Sequence, residues 1–335
     1  MSAPHRNPLL RRCAALARCC AASACAALIT VFATAEAAAD ASIGCPPTAA
    51  PLTAERVAAG LQTARDHGFL WRLQKGGRTS YLYGTLHAAR ADWMFPGPIV
   101  LDALRAADTV ALELDVLDPD IQRRLSAHIG PVRPDPLPPA LTRRIEQRRV
   151  AECVADAPWN TFSPEFQVAS LAMLAGRRDG IDPAHAIDIV LALLARDLGK
   201  SVVSLETPEG QMQALRMPTQ AATVEFVRSG LDAMDSGRLR PLLNRLARIW
   251  TEGDHAELAR YRAWCECLDT PVDRQAMKRL LDDRNPSLAA AIDALHASGK
   301  QVFAAVGSLH MIGPTGLPSL LRKRGYKVEQ GTFGR

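Results

Sequence analysis

The sequence predicts an α/β protein with a small β-sheet core formed by strands from both ends of the chain, flanked by many helices. Three observations predict it. Short apolar runs with strand character gather toward the two ends of the 335-residue chain. The stretch from Thr219 to His296 reads as nearly continuous helix, with breaks near Gly237, Gly253 and Pro271. Finally, two distant stretches read almost alike: Tyr83-Gly84-Thr85-Leu86-His87 and Val306-Gly307-Ser308-Leu309-His310. Each follows a strand-like run, so the fold is expected to bring two G-x-x-H motifs together in one site.

Residues 1–39 read as a secretory signal peptide: Arg6, Arg11, Arg12 and Arg18 precede an apolar run from Cys19 to Ala35, with A-x-A-like exits ending at Ala37 and Ala39. The expected location is therefore exported, periplasmic or secreted, with membrane association only through an uncleaved N-terminus. Residues 40–68 form a lead-in segment with a helix over about 54–66, and residues 69–331 form the main domain. Phe69–Leu73 and Thr79–Tyr83 make a hairpin around Lys75-Gly76-Gly77. Pro98–Ala107 is helical, turning Ile99, Val100, Leu101 and Leu104 inward; Asp108–Asp115 is a third strand.

Pro131, Pro134, Pro136, Pro138 and Pro139 then impose an extended loop. Helices follow over about 141–154, 164–175 and 184–198, and Lys200–Glu206 is a strand after the Gly199 stop. Beyond the long helical region come a strand at Gln301–Val306, a helix from Gly316 to Arg324 and a short strand at Tyr326–Val328.

Removing residues 1–39 takes away four Arg and Glu36, which lowers the formal charge from +5 to +2. The basic balance belongs largely to the leader, no nucleic-acid-binding motif is present, and no nucleic-acid partner is expected. Cys45, Cys153, Cys265 and Cys267 remain, and an exported chain permits disulfides among them. Cys265 and Cys267 are too close for an easy mutual bridge, so each is expected to pair elsewhere or stay free.

A Gly at a strand end permits a close approach, and a His three residues on offers a side chain that titrates near neutrality and ligates metals. Taken singly, each imidazole is explained by packing against a backbone carbonyl; the duplication favours a shared site. Val110-Ala111-Leu112-Glu113 and Val202-Val203-Ser204-Leu205-Glu206 both place a Glu after an apolar strand core. Such a carboxylate is costly unless paired, protonated or metal-bound. Glu113 is bracketed by Leu112 and Leu114, although alternation also allows it to face solvent. Glu206 reads equally as a site residue or as an acid near the helix start at Pro208.

Two His and one or two carboxylates suit a divalent metal with an open position, which lowers the pKa of bound water and polarises a carbonyl. No H-E-x-x-H is present, and Gly307-Ser308-Leu309-His310 lacks the G-x-S-x-G elbow of serine hydrolases. Ser308 and Thr85 are read as groups that support the site rather than react. His128, His185, His255 and His296 are assigned to surface or packing roles.

With both G-x-x-H stretches, Glu113, Gly199–Thr207, Arg284-Asn285 and the ending Gly325-Tyr326-Lys327-Val328, the chain resembles the TraB/PrgY/GumN family, related to Tiki metalloproteases. The resemblance covers about Trp71 to Gln330. It implies an α/β fold in which the two motifs meet, and a metal-dependent hydrolase of the Tiki kind with a peptide or protein partner. His87, His310 and Glu113 would hold a divalent metal; Glu113, Glu206 and Arg284 would be the catalytic set. Asp182 also matches, with no chemical role assigned. The alternative is a non-catalytic haem-, metal- or peptide-binding protein of the cell envelope.

Overall fold

The structure, a computed structural model, describes residues 44–130, 136–154 and 159–333. The expected leader at 1–39, and Pro131 and Pro134 of the proline-rich loop, lie outside the described residues. The chain runs through α1 (Ala54–Thr63), β1 (Phe69–Lys75), β2 (Arg78–Thr85), α2 (Pro98–Ala106) and β3 (Thr109–Leu112). Next come α3 (Pro119–His128), α4 (Pro139–Ala151), α5 (Pro164–Leu174), α6 (Ile187–Asp197) and β4 (Ser201–Ser204). The helical half holds α7 (Pro208–Leu215), α8 (Gln220–Asp235), α9 (Leu239–Glu252), α10 (His255–Ala259), α11 (Tyr261–Trp264) and α12 (Pro271–Met277). A π-helical turn, Lys278–Asp282, leads to α13 (Asn285–Ala297), and the chain closes with β5 (Val302–Gly307), α14 (Leu317–Lys323) and β6 (Lys327–Gln330).

The six strands form one mixed sheet in the order β4-β3-β5-β2-β1-β6. β4, β3, β5 and β2 run parallel, while β1 and β6 add antiparallel at one side. All of β5 is buried, as expected of an apolar strand covered on both faces. The β1–β2 turn puts Gly76 and Gly77 at φ +57° and +74°, the left-handed pair that matches hairpin twist and that glycine adopts at no steric cost. Leu191, Trp250, Leu288 and Ile292 pack around the sheet in one core, each such burial being worth about 1.5–3 kcal/mol. A second apolar cluster joins α4, α5 and α8 through Ile145, Leu171, Val227 and Leu231. No helix among the described residues is long and apolar enough to cross a membrane.

Several local expectations need correcting. β3 stops at Leu112, so Glu113 stands just beyond the strand and not within it. Val100 and Leu104 of α2 are buried, but Ile99 is 44% exposed, because a nine-residue helix turns only a narrow stripe to the core. α3 lacked a strong apolar period and went unpredicted; Asp118 caps it by accepting from the Asp120 and Ile121 amides.

The cysteines differ most. Cys45 pairs with Cys153, and Cys265 pairs with Cys267 despite the spacing. Glu266 makes the short bridge feasible: at φ +48° it folds back the intervening residue and leaves the flanking Cα atoms 5.1 Å apart, within the disulfide range. The Cys45–Cys153 bridge spans 108 residues and ties the lead-in segment to the end of α4. The C45S/C153S double variant should lose about 2–4 kcal/mol of stability. A urea midpoint equal to that of the parent protein would show that the bridge constrains nothing.

Candidate functional site

The site arises from strand register. β2 and β5 are parallel neighbours, with Gly84 opposite Val306 and Thr85 opposite Gly307, so the two similar stretches leave the same sheet end side by side. β3 lies on the other side of β5, with Leu112 opposite Ala305, and releases Glu113 at that same end. These are the carboxyl ends of parallel strands, where α/β sheets commonly hold their ligands. The repeated hydroxyls brace the loops. Ser308 Oγ donates to the Thr85 carbonyl at 2.9 Å, and Thr85 Oγ1 donates to Asp188 Oδ1 at 2.8 Å.

Each imidazole is held from behind. His87 Nδ1 lies 2.9 Å from Asp188 Oδ2, and His310 Nδ1 lies 2.6 Å from Asn285 Oδ1. An acceptor behind Nδ1 places its proton there and turns Nε2 toward the site. Gly307 marks the meeting point: a Cβ there would sit 3.2 Å from His87 Nε2, 3.3 Å from Glu113 Oε1 and 3.7 Å from His310 Cδ2. The rings therefore flank one space. His310 is buried, whereas half of the His87 side chain (52%) is open to solvent.

The carboxylates meet one guanidinium. Arg284 donates to both Glu113 and Glu206, with its Nε 2.9 Å from Glu206 Oε1 and its Nη1 3.4 Å from His310 Nε2. Glu113 also accepts from the Gly307 amide at 2.8 Å and from Gln211 Nε2 at 3.2 Å, and its Oε1 lies 3.5 Å from His87 Nε2. Burial alone would raise the Glu113 carboxyl, but its His87 contact and the surrounding cations hold it well below the usual carboxylate range. Desolvation of the covered side of the half-exposed His87 ring would lower it, yet Asp188, with Glu113 opposite, holds it well above its ordinary value. His310 is pushed down to about 4 by burial, with Glu113 opposing and the Arg284 and His87 charges adding.

Residues 69–330 match the TraB/PrgY/gumN family. The chain belongs to that family. No curated protein and no solved structure matches it. The matched span of this TraB/PrgY/gumN member contains every residue of the cluster just described.

The fold brings His87, His310, Glu113, Glu206 and Arg284 together. Glu206 pairs with Arg284, and the helix-capping alternative goes instead to Thr207, which accepts from the Gly210 amide. Asp182 lies outside the cluster: it accepts from the Ala184 amide, caps a short turn and bridges to Ala89 by backbone hydrogen bonds. His296 is satisfied by Ser80 and Lys75, as the packing assignment expected.

Sequence reasoning missed Asp188, Gln211 and the role of Asn285. Asp188 left one signal, a lone acid in the apolar run Ile187–Leu194. Two anchored imidazoles and a carboxylate are donor types that fit a divalent metal. Among the described residues, however, no three His, Cys, Asp or Glu side chains are gathered at ligating spacing. Arg284 stands among them instead, and the fit is one of chemistry.

Arg284→Met should destabilise the protein by about 3–5 kcal/mol, because it leaves Glu113 and Glu206 buried without their cation. Adding Glu206→Gln should recover part of that loss in denaturant unfolding; strictly additive losses would show that the two residues are not coupled. Gly307→Ala should fold, since its Cβ needs only a few tenths of an ångström from His87 and Glu113. It should nonetheless weaken any ligand held between the imidazoles by roughly tenfold or more, a loss measured by titration against the parent protein.

Proposed function

We propose that this TraB/PrgY/gumN member is an exported metal-dependent hydrolase of the Tiki kind, acting on peptides. The observation that carries the reading is the pair of imidazoles, each fixed at Nδ1 and each presented beside Gly307 and Glu113. His87 and His310 would hold the metal, with Glu113 as third ligand or general base. When bound, a divalent metal supplies a water of lowered pKa and a polarised carbonyl.

The chain's own residues do the rest. Asp188 and Asn285 set the tautomers, Thr85 fixes Asp188, and Glu206 orients Arg284. Arg284 Nη1, which among the described residues meets the Leu280 carbonyl and, at longer range, His310, would face negative charge developing on a substrate oxygen. Export is supported by the Arg-rich, apolar, Ala-rich N-terminus, and both disulfides suit an oxidising compartment.

One observation favours the non-catalytic alternative. Glu113 is already engaged by the Gly307 amide, Arg284, Gln211 and His87, so its oxygens are fully used. In that reading the site holds a metal, haem or peptide without turnover.

Metal analysis of protein purified from the cell envelope decides first. About one divalent metal per chain is expected, with His87→Ala and His310→Ala each abolishing it and the double variant losing nothing further. Asp188→Asn should weaken metal binding by roughly 10- to 100-fold. Peptide cleavage that stops on chelation and returns with metal supports the hydrolase; stoichiometric metal without cleavage supports the binding protein. Retention of metal by both single variants would sink the shared site.

A further inference from the structure

A cavity of about 540 Å³ lies between α4, α5 and the C-terminal end of α7, within the usual range for small-molecule sites. It shares no lining residue with the imidazole site. Helix α7 stands between them: Gln211 reaches Glu113, while Gln213, two residues on, lines the cavity. Trp159 and Phe162 form an aromatic wall, with ring centroids 5.8 Å apart.

Among the described residues, arginines outnumber acids in this wall. Arg149 is engaged by Glu146 and the Val154 carbonyl. Arg216 donates through Nη2 to the carbonyls of His128 and Gly130, and its buried Nε has no partner. Arg279 is the most deprived. Among the described residues, its Nη2 donates to the thioether of Met217 at 3.3 Å, a weak acceptor, and its buried Nε lacks a partner. The acid at hand does not answer it: Glu165 is 5% exposed and accepts from the Met217 amide and the Thr223 hydroxyl. Burial pushes Arg279 below its ordinary value, with Glu165 and Asp283 opposing only through their fields. Arg279 is half-buried, its Nε closed to solvent, and an incoming anion would supply the strong acceptor that its guanidinium lacks among the described residues.

We propose that this cavity binds an organic carboxylate with an apolar, aromatic body, its carboxylate on Arg279 and its ring against Trp159 and Phe162. The planar guanidinium fork fits a carboxylate by two parallel hydrogen bonds, and the edges of Trp159 and Phe162 that line the cavity give a flat apolar group a surface to rest against. A small aromatic acid and a peptide ending in an aromatic residue both carry that chemistry.

Calorimetric titration of the mature, disulfide-bonded protein tests it with three probes: N-acetylphenylalanine, its amide, and a tetrapeptide ending in Phe with a free carboxylate. N-acetylphenylalanine should bind at least about tenfold tighter than the amide, because only the acid satisfies Arg279. Arg279→Met should weaken the acid by roughly 10- to 100-fold and leave the amide unchanged. Thermal unfolding checks that this variant folds. Thr142→Trp, which brings an indole to the cavity from an exposed rim position and removes no arginine, should also abolish binding. His87→Ala should leave it intact, which separates this cavity from the imidazole site. Tighter binding of the tetrapeptide identifies a chain terminus as the occupant, and binding of the small acid alone identifies a free acid. Equal affinity for acid and amide, absence of binding by every probe, or undiminished binding in either folded cavity variant overturns the proposal.

Discussion

Glu113 is buried, the side chain of Glu206 is largely covered, and Arg284 lies between them, donating to both. Two carboxylates in that position repel each other and have lost their water; the guanidinium supplies the opposite charge and the donors. Such an arrangement is rarely the most stable use of buried space, since apolar residues of similar volume commonly do as well. Its presence beside two imidazoles is therefore better explained by chemistry than by stability. The segment that delivers Arg284 fits this view: it follows a π-helical turn, a departure from regular helix that often accompanies functional sites.

The rest of the arrangement follows from parallel pairing. Because β2 and β5 run side by side in the same direction, equivalent residues after each strand emerge as neighbours. A motif repeated more than two hundred residues away is thus converted into two halves of one site without any local repeat in the fold. Gly307 keeps the space between those halves open, because any larger residue would place a carbon against His87 and Glu113.

What could be read from the sequence depended on how local its cause was. The hairpin was legible because Gly76-Gly77 can turn left-handed, and β5 because an unbroken apolar run must be covered on both sides. His87, His310, Glu113 and, as one of two readings, Glu206 were legible through repetition, and Arg284 through family resemblance. Asp188 was not, since its meaning lies in a hydrogen bond to His87 across 101 residues. Asn285 follows Arg284 in the sequence, but its partner is visible only once α13 meets the loop after β5. The Cys265–Cys267 bridge was misjudged because it depends on Glu266 adopting a conformation that non-glycine residues seldom adopt.

The two disulfides impose different timetables on a chain made from its N-terminus. Cys265 meets its partner two residues later, whereas Cys45 must wait for one that is 108 residues away. At ordinary synthesis rates that wait is roughly 5 to 20 s, during which Cys45 has no native mate. By then β1, β2 and β3 have been made, yet β5, the strand that joins β2 to β3, has not. The long bridge can therefore close around an incomplete sheet, and whatever oxidises the chain must leave it free to admit the remaining half, with β4, β5 and β6. Maturation of this protein is thus a problem of sequence in time, in which a covalent link can precede the non-covalent core it encloses.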